Sequence, residues 1–235
     1  MLTSKQRRFW EAYERAEDGY DRTEKLRRLE VFLDSLEESS SSEWFPWARS
    51  LAEQVIDHSR ALKIRRPLFE RALFPALLEG YRLRVPGSAR WLAGFHQQLW
   101  QCDELLAQLP AEDRSEQGLL RTALASDPDD RRSRSRLIDI TADYLEYTLH
   151  ELPAGVLDGA NGATPEKCAE LLDYLDAFTR LLGPGLAQDQ YAELIARCRF
   201  HFREYAEYLN NREEYINYSD YLSRRSTTDA DGADP

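Results

Sequence analysis

Asp139, Asp143, Glu146 and His150 recur at i, i+4, i+7 and i+11, a spacing that sets three carboxylates and an imidazole on one helical face. Groups of these types in a line are able to hold a divalent cation or to exchange protons with a substrate. Either task needs a second helix of converging ligands, and no segment of the sequence supplies one. Leu137, Thr141, Leu145, Thr148 and Leu152 occupy a different face and are expected to pack inward, leaving the acids in solvent. A solvated acidic stripe is also a docking surface for a cationic polypeptide. Glu166, Glu170 and Asp173 form a second such stripe, with Asp176 at its edge. Between residues 137 and 180 nine acids, among them Glu151 and Asp158, stand against two bases, Lys167 and Arg180. If the two helices are neighbours, their stripes line one negative groove. The expected partner surface is therefore Asp139, Asp143, Glu146, His150, Glu166, Glu170, Asp173 and Asp176.

Other chemistry is hard to find. The residues three before each histidine are Val55, Ala93, Tyr147 and Cys198, so the Glu-x-x-His pattern of helical di-iron proteins is missing. No His-Glu-x-x-His, Cys-x-x-Cys, Gly-rich phosphate loop or Gly-x-Ser-x-Gly turn occurs. The reading assigns no catalytic residue, no metal ligand and no cofactor. Cys102, Cys168 and Cys198 have no metal spacing and read as small buried or half-buried residues of a reducing compartment.

The net charge of -11 works against a phosphate backbone, so a nucleic-acid partner is not expected. Two basic clusters run against the trend: Arg65-Arg66 with Arg82, Arg84 and Arg90, and the stretch Arg131 to Arg136. The second follows Asp127, Asp129 and Asp130, and both read as solvated faces that pair with nearby acids. The first residues lack an apolar core and cleavage site, and no run of about 18 apolar residues occurs. A cytoplasmic protein with no membrane partner is expected.

The elements that must position the acids are helices throughout. Thr3 with Gln6, and Asp21 with Glu24, have capping-box spacing and open helices over about 4–17 and 22–37. Ser39 to Ser42 reads as a polar loop, and Pro46 as a first-turn proline of a helix reaching Arg65. Pro67 opens a helix to about Arg84, which Pro75 is expected to kink or divide. Ser88 caps another that runs towards Pro110, followed by helices over about 113–126 and 129–151. Residues 153–164 form the longest expected loop. Thr164-Pro165-Glu166 starts a helix that stops at Gly183-Pro184-Gly185, and a long one spans about 188–209. A short helix to about 223 carries Tyr215, Tyr218 and Tyr221 on one side, as a cap on the core or as an interface. The architecture is all-α: an irregular array of about nine or ten helices in one domain, 1–225, with a possible N-terminal pair over 1–38 and a disordered tail over 226–235.

A weak internal repeat runs through 68–150. Leu77-Leu78 precede Pro86 by nine and eight residues, and Leu119-Leu120 precede Pro128 by the same intervals. Tyr81 and Ala123 lie five before each proline, and Phe95 and Leu137 nine after. The run Leu119 to Asp130, with its Ala-Leu pair and Asp-Pro turn, resembles the junction between two tetratricopeptide repeats, which recur every 34 residues. Here the prolines stand 42 apart and the Trp-Leu-Gly-Tyr consensus is missing. The resemblance implies stacked helical hairpins and a protein-binding surface.

Together these features predict a protein that acts by binding another, basic, protein. Within that class an immunity- or antitoxin-type inhibitor of a basic toxin domain fits the size and acidity, with a tetratricopeptide-like adaptor or scaffold as the alternative. A helical enzyme or metal-binding protein using the Asp139, Asp143, Glu146 and His150 face is the reading from a different class.

Overall fold

The computed structural model describes residues 1–152 and 164–231. Every regular element among them is helical, and none is long and apolar enough to cross a membrane. The chain divides into two compact units, Met1–Arg134 and Ser135–Pro235. The division falls inside a continuous helix that holds no Gly or Pro, within the span the sequence reads as one domain, 1–225.

The first unit opens with α1 (Ser4–Glu17) and α2 (Arg22–Glu37), packed together as a pair. At α1 the capping box is complete: Gln6 N–H bonds the Thr3 hydroxyl, and Thr3 N–H bonds the Gln6 carboxamide. At α2 Asp21 accepts from the amides of Thr23 and Glu24, while the Glu24 side chain turns to Arg27 and Arg28. The next helix, α3 (Ser41–Ile56), begins earlier than expected, with Ser40 as its N-cap. Pro46 thus lies inside the helix instead of in its first turn, and lacks the N–H that would bond the Ser42 carbonyl.

Pro75 divides its helix in a specific way. α4 (Arg66–Leu68) passes into a π-helical turn, Phe69–Leu73, and then into α5 (Phe74–Arg82). Phe74 N–H reaches back to the Phe69 carbonyl, and this wider turn admits a proline ring directly after it. The expected helix from Ser88 to Pro110 is broken into α6 (Ser88–Gly94), α7 (His96–Trp100) and α8 (Asp103–Leu106). Phe95 leaves helical geometry, and Cys102 is extended. A 3-10 turn, Ala111–Asp113, precedes α9 (Glu116–Ser126), which Ser115 caps through Gly118 N–H.

Backbone contact is closest where side chains are missing. A Cβ on Gly80 would fall 2.2 Å from Ser88 Oγ, and one on Gly118 would fall 1.9 Å from the Glu112 carbonyl. These glycines let α5 meet α6 and let α9 fold back on its own 3-10 turn. The first turn of the internal repeat, Val85-Pro86-Gly87, lies beside the end of α9, sharing a small hollow with Thr122, Ala123 and Ser126. The core of this unit is aromatic around Trp10, Tyr13 and Phe32, and aliphatic around Leu68, Leu77 and Leu92.

The second unit takes most of α10 (Arg131–Glu151), then α11 (Pro165–Leu182), α12 (Leu186–Gln190), α13 (Ala192–Asn210) and α14 (Tyr218–Asp231). Thr164 caps α11 through Lys167 N–H at 3.2 Å. The main packing is α11 on α13, around Cys168, Leu171, Leu175, Phe178, Leu194, Cys198 and Phe202. Ala142, Leu145, Leu149 and Leu152 of α10 complete this core. α14 extends beyond 223, into the stretch read as a tail; residues 232–235, and the expected loop over 153–163, lie outside the described residues. Tyr218 and Tyr221 are each 5% exposed, stack at 14° and close the core beside Tyr205 and Tyr208.

Candidate functional site

Asp139, Asp143, Glu146 and His150 are all exposed on α10, one flank away from its buried Leu145 and Leu149. The opposite flank carries Tyr144, whose ring meets Tyr174 of α11 edge-on at 5.2 Å. The acids instead lie towards α13. Tyr191, at the head of that helix, is half-buried, and its phenol is pushed above its ordinary value first by burial and then by the charges of Asp139, Asp143 and Glu146. Glu146 also acts on the buried Cys198, whose thiol is driven up mainly by burial, to about 12. Three carboxylates spaced along two turns therefore act as a single negative field on one residue of the neighbouring helix.

The α11 stripe is placed differently. Glu166, Glu170 and Asp173 are exposed on the side away from the buried Leu171 and Leu175. Glu170 pairs with Lys167 at 3.0 Å, and Asp176 with Arg199 of α13 at 2.8 Å. The acidic stripes thus occupy separate faces: α10 meets α11 through tyrosines, with its carboxylates on the α13 side. Of the nine acids counted from the sequence, Asp158 lies outside the described residues. Among the described residues no three His, Cys, Asp or Glu side chains are grouped to hold a metal ion.

Two features of the first unit escape a reading by spacing. The first is a buried ion cluster. Asp57, at the C-terminal end of α3, accepts two hydrogen bonds from Arg90, one from the Trp91 indole at 2.8 Å, and an ion pair from Arg132 at 3.2 Å. Its neighbour Asp130 accepts from Arg90 as well, and from the Ser133 amide and hydroxyl, so it caps α10 while sharing the same guanidinium. Burial raises both carboxyls, but the hydrogen bonds and cations outweigh it and hold both below the usual aspartate value. Nε, Nη1 and Nη2 of Arg90 and the Trp91 indole are all committed to these two carboxylates, so the cluster reads as structural. Two of the basic residues read as solvated, Arg90 and Arg132, are its cations, although Arg132 stays exposed, and Arg65 is drawn onto Glu17 at the end of α1.

The second feature is a hollow of about 310 Å³ between α1 and α3, lined by Met1, Leu2, Arg7, Trp10, Pro46, Trp47 and Ser50. Trp10 and Trp47 meet edge-on at 5.0 Å, and both touch Phe32. The signal in the sequence is the aromatic run Trp44-Phe45-Pro46-Trp47; Trp44 and Phe45 are buried, but Trp47 is half-exposed.

No protein-family model, curated protein or solved structure matches the chain, so the site rests on its own geometry.

Proposed function

We propose that the chain is a non-catalytic protein-binding protein whose α10 carboxylates dock a basic polypeptide. The observation that supports this most is the exposure of Asp139, Asp143 and Glu146 along one face of α10, where their charges all bear on Tyr191. Exposed charges of one sign that reinforce each other raise the local concentration of an opposite-signed partner and speed its encounter. Tyr191 supplies a half-buried ring at the edge of the same field, the residue type favoured at interface centres. Glu166, Glu170 and Asp173 present a second, separate negative face on α11. The function that fits best is that of an immunity- or antitoxin-type inhibitor, which covers a cationic, phosphate-directed surface of a toxin domain. An adaptor built on tetratricopeptide-like hairpins uses the same surface, and the contact of the repeat's first turn with the end of α9 favours that second reading.

The test is capture of partners by the full chain and by a variant carrying Asp139→Asn, Asp143→Asn, Glu146→Gln, Glu170→Gln and Asp173→Asn. A basic protein retained in stoichiometric amount by the native chain, released by salt and lost from the variant, is the expected result. Retention by both chains alike, or capture of acidic partners only, removes this reading. Loss of an enzymatic activity or of a bound metal in the same variant supports the enzyme instead.

A further inference from the structure

We propose that the hollow between α1 and α3 is a binding site for a small planar aromatic acid, a property separate from partner docking on α10. Its volume, about 310 Å³, lies at the lower end for small-molecule sites and has room for one or two fused rings. The wall is preorganised. Trp10 is 5% exposed and is fixed on three sides by Tyr13, Phe32 and Trp47, at ring distances of 5.0–5.4 Å. Such a wall does not have to be ordered when a ligand arrives, which removes one of the main costs of binding.

Pro46 and Ser50 lie one turn apart on α3, both exposed, and both line the hollow. A proline in this position forfeits a backbone hydrogen bond. Its exposed ring packs into no core; it presents a flat apolar surface beside the two indoles. Indole faces accept either a flat apolar group or a cation. Arg7, exposed on α1, lines the same hollow and decides between them. A guanidinium repels a cationic ligand and pairs with a carboxylate through parallel donors. In a chain of net charge -11, an arginine set against two tryptophans is a local anion-accepting point. The ligand it fits is therefore apolar and flat at one end and carboxylate at the other, with Ser50 Oγ as a second donor.

The experiment is calorimetric titration of the full chain with 2-naphthoate and with 2-naphthylmethanol, which share rings and differ in charge. The native chain is expected to bind the acid about tenfold or more tightly than the alcohol. Arg7→Gln, at an exposed position, is expected to keep the melting temperature and bring the two affinities together. Ser50→Trp, also exposed, is expected to fill the hollow and abolish both. Equal affinity of the native chain for acid and alcohol, no binding of either, or an acid preference that survives Arg7→Gln overturns the proposal. So does naphthoate affinity unchanged by Ser50→Trp.

Discussion

Arg90 donates two parallel hydrogen bonds to Asp57, from Nε to Oδ1 at 3.1 Å and from Nη2 to Oδ2 at 2.6 Å. The Asp57 side chain is 4% exposed and that of Arg90 18%, so the pair is largely withdrawn from water. It also places an anion at the C-terminal end of α3, where the helix dipole is itself negative. Only the cations make that position tolerable.

Removing one side of a buried pair leaves the other uncompensated. Asp57→Ala is expected to lower unfolding free energy by about 3 kcal/mol, read by denaturant titration of the full chain. Arg71 provides the contrast. It pairs with Glu30, Asp34 and Glu37, but those side chains are 49–68% exposed. Arg71→Gln is expected to cost about 1 kcal/mol or less, and the loss should shrink as salt is added. Equal losses for the two variants would show that burial does not set these energies.

Acid should act on the two units in separate windows. His201 on α13 bonds Tyr218 at 3.0 Å, and its pKa is depressed, by burial first and then by the charge of Arg197. A histidine depressed in the folded state binds a proton less readily than in the unfolded chain. Its contribution is complete above the unfolded value of about 6.5 and fades as pH falls towards the folded one. Asp57 and Asp130 are depressed as well, so their share persists to about pH 4 and is lost below it. Between pH 7.5 and 5.5 the native chain is expected to lose a few degrees of melting temperature, and His201→Gln less. A matching loss in that variant would assign the effect elsewhere.

The field on Tyr191 is measurable directly. In a chain carrying ¹³C-labelled tyrosine, with Tyr191→Phe to assign the signal, Asp139→Asn, Asp143→Asn and Glu146→Gln together are expected to lower the Tyr191 pKa. Because the three carboxylates are exposed, the change should be larger at about 0.01 M salt than at 1 M. A Tyr191 titration indifferent to all three substitutions would dissolve the idea of a shared potential.

Gly118 faces backbone, which cannot rotate away. Gly118→Ala is expected to destabilise the first unit by about 1–3 kcal/mol, despite the better helix propensity of alanine. Gly80→Ala meets a serine side chain, and pairing it with Ser88→Ala should recover part of the loss. A neutral Gly118→Ala by thermal melting would mean that the 3-10 turn can shift.

Much of this structure was legible as local chemistry. Thr3, Asp21 and Thr164 cap the helices their spacing announces, because a cap is satisfied within four residues and needs nothing from the rest of the chain. The exposed placement of Asp139, Asp143 and Glu146 follows from helical period for the same reason. What spacing does not carry is the neighbour. Asp57 falls inside the helix that the sequence carries on to Arg65, and is an unremarkable polar residue there until Arg90 and Arg132 arrive from 33 and 75 positions away. The face that Asp139 shares with Tyr191 is set by which helix packs on α10, and α11 was the nearer choice along the chain. Trp47 is half-exposed because α1 and α3 leave a gap beside it, a property of two helices together.

The π-helical turn at Phe69–Leu73 amounts to one additional residue wound into an otherwise regular rod. Deleting a single residue there would restore ordinary winding, because four residues at about 100° each sweep nearly the same angle as five spread over the wider turn. Leu77 and Leu78 would stay interior. One residue added to a regular stretch of the rod, with no wider turn to take it up, would instead swing everything beyond it by about 100°. At this point the winding has already absorbed a change in the count of peptide units that the rest of the rod would not tolerate.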